Sequence, residues 1–253
     1  MRTVTMLLLA GLFLAAPAQA EVGVPAKGGY PEYLFVETVP SDEAPATAQM
    51  IAQAIFTGRM VIFAQMGKLT DPELGDKGFT GEVFVRQWQA AVEDLMVEAT
   101  PNQERVMEKV FWAGQQAIDN VQDRLNVKGI AWKHFLPARW EREMGDILNA
   151  RTGILTKQPA RKYRNPSNAP DALEREVLVR FTQTGFDGDA HGSFERMAEQ
   201  RVYRYMEPIR MIPPCMGCHG HPKGEPDMLG FEKDGLDVDD VIGLMSVTIG
   251  VSD

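Results

Sequence analysis

The chain is poor in cysteine, in histidine and in surplus positive charge: 253 residues contain two Cys, four His, and 26 Lys and Arg against 35 Asp and Glu. An acidic surface repels phosphate backbones and no basic cluster offsets it, so nucleic acid is not an expected partner. Two cysteines three positions apart close too short a loop for a disulfide to remove much chain entropy, which argues against a purely stabilising bridge. Beyond the first twenty residues no apolar run is long enough to span a bilayer. Phosphate-binding loops, a Ser-His-Asp set, internal repeats and low-complexity tracts are missing as well. The acidic residues Asp234, Asp237, Asp239 and Asp240 lack the spacing and terminal Glu of a calcium loop, and a solvated turn is the expectation there.

What is present begins with an address. Arg2, an apolar run over residues 6–16 and Ala18-Gln19-Ala20 form a signal peptide of residues 1–20 with cleavage expected before Glu21. The expected location is therefore the periplasm or another exported space, with no membrane span after cleavage. Loss of Arg2 leaves 25 basic against 35 acidic side chains, a net charge of −10.

Residues 21–40, rich in Gly and Pro and without period, predict an extended lead-in to a domain over residues 41–253. Ser41 and Asp42 are good N-caps for a first helix carrying Met50, Ile51, Ala54, Ile55, Val61 and Ile62 on one face. A second helix is expected from near Thr80, with Val83, Phe84, Trp88, Val92, Leu95 and Met96 inward. A third runs over about residues 102–125, with Val106, Val110, Ile118, Val121 and Leu125 inward. Pro137 suits the first turn of a fourth, and Pro170-Asp171 the start of another. After Gly153 short apolar runs alternate with turns, and residues 241–251, rich in branched side chains, read as a strand. The fold class is α+β: a long N-terminal helical segment and further helices flanking a small antiparallel sheet.

Cys215-Met216-Gly217-Cys218-His219 is the C-x-x-C-H pattern of covalent haem attachment. Two thiols at this spacing can add across the two vinyl groups on one porphyrin edge, and the adjoining histidine supplies the proximal iron ligand. The reading gives one haem c, bound by Cys215, Cys218 and His219, with His219 on the metal. A thioredoxin-type redox pair would open a helix in a βαβ unit, whereas this pair lies between Ile212-Pro213-Pro214 and Gly220-His221-Pro222. Zinc held by Cys215, Cys218, His219 and His221 would crowd four ligands into seven residues. Arg161, Lys162 and Arg164 are candidates for pairing with haem propionates, or else a solvated loop.

Further words fix a resemblance: Gly75-Asp76-Lys77-Gly78-Phe79-Thr80, Arg164-Asn165-Pro166-Ser167-Asn168-Ala169-Pro170-Asp171, Tyr205-Met206-Glu207-Pro208, and the stretch from Cys215 through Cys218-His219-Gly220 and Pro222-Lys223-Gly224-Glu225. From Arg59 onward the chain resembles a family of exported single-haem c-type proteins with a PAS-like fold, found free-standing and as sensor parts of receptors. The resemblance implies a mixed sheet with flanking helices, and redox or diatomic-gas sensing rather than turnover. Some members use a cysteine as sixth iron ligand; no third cysteine exists here.

Two functions follow from different classes: a haem-based sensor of redox state or a diatomic gas, and an electron carrier serving a redox partner protein. A peroxidase-like enzyme would need a distal acid or base over an open iron, with only His134, His191 and His221 left among the histidines, so the chain is not expected to be an enzyme. His221 is too close in sequence to His219 to reach the opposite face of the macrocycle. The sixth position is left to His134, His191, a methionine such as Met60 or Met66, or an open or water-filled site.

Overall fold

A computed structural model describes residues 34–183, 188–197 and 199–252. The signal peptide and most of the lead-in lie outside these residues. The helices are α1 (Ala44–Ala64), α2 (Met66–Leu69), α3 (Gly81–Ala91), α4 (Glu93–Met96), α5 (Pro101–Asp119), α6 (Gln122–Leu125), α7 (Pro137–Thr152), α8 (Ala172–Phe181) and a single turn α9 (Met216–His219). The strands are β1 (Thr38–Pro40), β2 (Leu155–Lys157), β3 (His191–Met197), β4 (Gln200–Arg210) and β5 (Val241–Ser252).

The first helix starts at Ala44, just after the cap candidates Ser41 and Asp42. Glu43, not Ser41 or Asp42, occupies the N-cap position and leaves its carboxylate free to accept from the Thr100 hydroxyl and from Asn102 Nδ2 at 2.8 Å. Thr100 in turn accepts from Gln103 N in a capping box that starts α5, so one polar cluster fixes the ends of two helices. The single long helix expected over residues 102–125 is two: α5 stops at Asp119, and α6 adds one turn.

Aromatic side chains from α3, α5 and α7 meet in the helical core. Trp88 and Trp140 stand edge to face at 5.1 Å between ring centres, with Phe84 and Phe111 against them. Their indole N–H groups donate to Ala54 O at 2.6 Å and Gly114 O at 3.1 Å, so neither buried ring leaves a polar atom unpaired. A Cβ at Gly114 would lie 2.3 Å from the Trp88 ring, which explains glycine inside a helix at this position.

β5 is the central strand, pairing with β4 along one edge and with β2 and β1 along the other; β3 extends the sheet beyond β4. Three pairings are antiparallel. The expected purely antiparallel sheet is corrected by β1, which runs parallel to β5 with Val39 opposite Val251. This strand occupies the end of the predicted lead-in, and Gln200 anchors it by accepting from Phe35 N at 2.7 Å and donating to Phe35 O at 3.2 Å. On one face of β5, Met245, Val247 and Ile249 join the helical core; on the other, Leu244 packs with Met206 and with Val177, Leu178 and Phe181 of α8. With both faces covered, β5 is buried along almost its whole length, Ser246 and Thr248 included, rather than alternating between buried and exposed.

Glu141 of α7 is 1% exposed, 3.5 Å from Arg59 of α1, and neither carboxylate oxygen receives a hydrogen bond. Burial outweighs the attraction of Arg59 and pushes the carboxyl up to about 8 from its ordinary 4.5. Between these values the folded chain holds a proton that the unfolded chain has lost, so this group lowers stability progressively as pH rises from about 4.5 to about 8. Glu141→Gln, which stays neutral, is expected to raise stability by less than about 1 kcal/mol at pH 5 and by roughly 4 kcal/mol at pH 8.5. Urea unfolding at the two pH values checks this; an equal effect at both would contradict it.

Candidate functional site

Pro213 and Pro214 end the run of β4 into a short turn, and from Cys215 the backbone winds once through α9 to His219. The one turn places Cys215 and Cys218 at i and i+3, on one side of the helix; both thiols are unpaired and half-buried. Cys218 is held as a thiol: burial pushes its pKa up, and the neighbouring Asp227 carboxylate pushes in the same direction. That is the opposite of the thiolate-stabilising surroundings of a reactive redox pair. His221 does not join the cysteines either. Its Nε2 lies 3.2 Å from Asp237 at the surface, and among the described residues no group of three or more His, Cys, Asp or Glu is assembled that could hold a metal ion.

The loop that follows α9 folds back on it. Gly235 N donates to Gly220 O at 3.0 Å and Leu236 N to His219 O at 3.1 Å, which lays residues 234–236 beside the histidine. Gly235 has φ +74°, and a Cβ there would lie 2.6 Å from Lys223, so glycine alone suits this bend. The bend delivers Asp234 to His219, with Oδ2 2.5 Å from Nδ1. Burial works against the charge of Asp234, but the hydrogen bond from His219 and the positive charge of the nearby Lys162 prevail, and its pKa is lowered. Burial pushes His219 down, opposed by the same hydrogen bond. A neutral imidazole beside a carboxylate can bond only by donating Nδ1–H, which leaves the Nε2 lone pair free.

Arg164 ties this loop to the rest of the domain. Its Nη1 donates to Asp227 Oδ2 at 2.6 Å, and its Nη2 donates to Cys218 O at 2.8 Å and Glu232 O at 3.2 Å; the guanidinium also stacks on Phe231. The Asp227 side chain is fully buried and accepts from Leu229 N and Phe231 N besides. Arg164 is thus a clamp on the peptide between the cysteines and their histidine, not a free cation. Further along the same sequence word, Asn165 caps a short turn, and Asp171 caps α8 while pairing with Arg204 of β4 at 2.7 Å. Lys162 is an ion-pair partner of Asp234 at 3.1 Å.

Beside the loop lies a cavity of about 660 Å³, bordered by Asp234 and Leu236, by the apolar Phe181 and Ile242, and by the cations Arg161 and Lys223. Neither this cavity nor a groove of about 410 Å³ between α7, β2 and α8 is lined by Cys215, Cys218 or His219. The four side chains considered for a sixth ligand are scattered. His134 is exposed in the connection before α7, Met66 packs on the helical core, and Met60 is half-buried on α1. His191 opens β3 with Nδ1 3.3 Å from Arg180 Nη1; Arg180 precedes Phe181, at the cavity's edge. Sequence reasoning assigned Asp234 and Asp237 to a solvated acidic turn, and the pairing of Asp234 with His219 went unseen; the signal available was Gly235, a glycine beside the acid in a segment too short for an element.

The model of the Tll0287-like family matches residues 42–250, which takes in every element from α1 to most of β5. The chain belongs to the Tll0287-like family. A crystal structure titled as that of the cyanobacterial heme-protein Tll0287 aligns with 22% identity and a TM-score of 0.41, over 60% of the present chain and 97% of the other. No curated protein matches.

Proposed function

We propose that this member of the Tll0287-like family is an exported protein carrying one covalently attached haem c through Cys215 and Cys218, with His219 as proximal ligand, and that it senses redox state or a diatomic gas. The observation that carries the proposal is the geometry of one turn: two unpaired thiols at i and i+3, followed by a histidine whose Nδ1 is engaged by Asp234 and whose Nε2 is free. The residues fit the group. Each S–H adds across a vinyl double bond with no atom leaving, and an oxidising exported compartment, the expected destination of a chain with such a leader, is where this attachment takes place. The neighbouring cavity, mostly polar in its lining, adds Arg161, Lys223 and Arg210 as cations able to pair with the carboxylates of such a group. Membership of the Tll0287-like family, whose namesake is described as a heme-protein, supports the same cofactor. The haem supplies a one-electron centre able to bind small ligands.

The residues of the chain do the rest. Cys215 and Cys218 would fix the group to the chain and His219 would bind its iron, while Arg164 keeps the peptide between Cys218 and His219 in place through Cys218 O. An open mixed sheet with helices on both faces supports a PAS-like assignment. Exposed apolar side chains on the same loop, Met228, Phe231 and Val238, favour a second reading, an electron carrier that docks a redox partner protein there. Spectra of the reduced protein with and without carbon monoxide separate the two. For the sensor the Soret band shifts on adding the gas, because the sixth position is open or displaceable; an unchanged six-coordinate spectrum would assign the carrier.

A further inference from the structure

We propose that Asp234 is a positioning residue for the iron ligand, setting the tautomer and the electron-donating strength of His219; the inference rests on the haem reading above. Three observations carry it. Asp234 Oδ2 stands 2.5 Å from His219 Nδ1, and the aspartate side chain is only 10% exposed, so water does not compete for the contact. The backbone is built to bring it there, through the left-handed Gly235 and the bonds from residues 235 and 236 to Gly220 O and His219 O. The carboxylate also has a neighbour that moderates it: Lys162 Nζ lies 3.1 Å from Oδ1 in an ion pair that misses hydrogen-bond alignment.

Histidines that bind metals commonly donate the second ring N–H to an oxygen acceptor, which fixes the ring and raises its basicity. A carboxylate is the strongest such acceptor, because it draws the Nδ1 proton toward itself and leaves more electron density on Nε2. A more basic axial nitrogen favours the ferric state. Asp234 therefore holds the potential of this centre down, in place of the thiolate that this chain, with both cysteines used, has no residue to supply. Arg164 Nη2 also lies 3.8 Å from Asp234 Oδ2, but its shorter bonds to Asp227 and Cys218 O, with the backbone bonds, hold the loop when the carboxylate is neutralised.

Asp234→Asn keeps an acceptor oxygen and removes the charge. In the exported, haem-loaded protein the expected result is unchanged covalent attachment and far-ultraviolet dichroism, with the ferrous-to-ferric ratio at a fixed poise rising about tenfold, a positive shift of ~59 mV for one electron. Lys162→Ala is the second arm and leaves Asp234 intact. With the cation gone, more of the carboxylate's charge acts on His219, and the midpoint moves negative. Attachment with an unmoved midpoint in either variant, or shifts of the opposite sign, would overturn the inference while leaving the haem reading in place. Wild-type protein without covalent haem would overturn both.

Discussion

Replacing Cys215 and Cys218 together by serine is expected to abolish covalent haem, so that in a denaturing gel no haem stain travels with the polypeptide. The physical reason is local. Both thiols are half-buried at the edge of a single helical turn and belong to neither apolar cluster, so exchange of sulfur for oxygen removes the two nucleophiles with little loss of packing. Each single variant retains one thioether and part of the stain. His219→Ala leaves both thioethers possible and changes the spectrum instead, because the loss falls on the iron ligand alone. Stain at the wild-type level in the double variant would show that the cysteines are not the attachment points.

Arg164→Ala is expected to cost about 3 kcal/mol of stability, the largest single effect among the site residues, because it strands the fully buried Asp227 carboxylate without its cation. The two backbone donors to Asp227 remain, which keeps the loss from growing further. The same change frees Cys218 O and Glu232 O, so the loop loses its tie to the domain and the yield of covalent haem falls with stability. Arg164→Lys restores little, since one ammonium cannot reach Asp227, Cys218 O and Glu232 O with a planar fork's geometry. Urea unfolding of the three proteins measures the effect; a loss below about 1 kcal/mol in the alanine variant would mean that the clamp is ornamental.

How much of this was legible in the sequence depends on the range of the interaction responsible. The bounds of β5, the Pro137 start of α7 and the Asp171 cap of α8 are written in neighbouring residues, and each appears where local chemistry places it. β1 was not legible, because three residues of a Gly- and Pro-rich segment become a strand only through parallel pairing with a partner more than 200 positions away. The division between α5 and α6 was hidden for a different reason: Val121 and Leu125 keep the inward spacing across the break, so periodicity runs through it. In the site, the C-x-x-C-H residues are contiguous and announce themselves. Arg164 and Asp234 do not, since the partner of the first lies 63 residues away and the second depends on a glycine bend that places it beside a histidine 15 residues earlier.

The most direct test of the account is the intact mass of the purified, exported protein together with its alkaline pyridine spectrum. The account predicts a chain that begins at Glu21, a mass increased by one haem that survives denaturation, a spectrum of the two-thioether type, and no titratable thiol. An unmodified mass with two titratable thiols would contradict it.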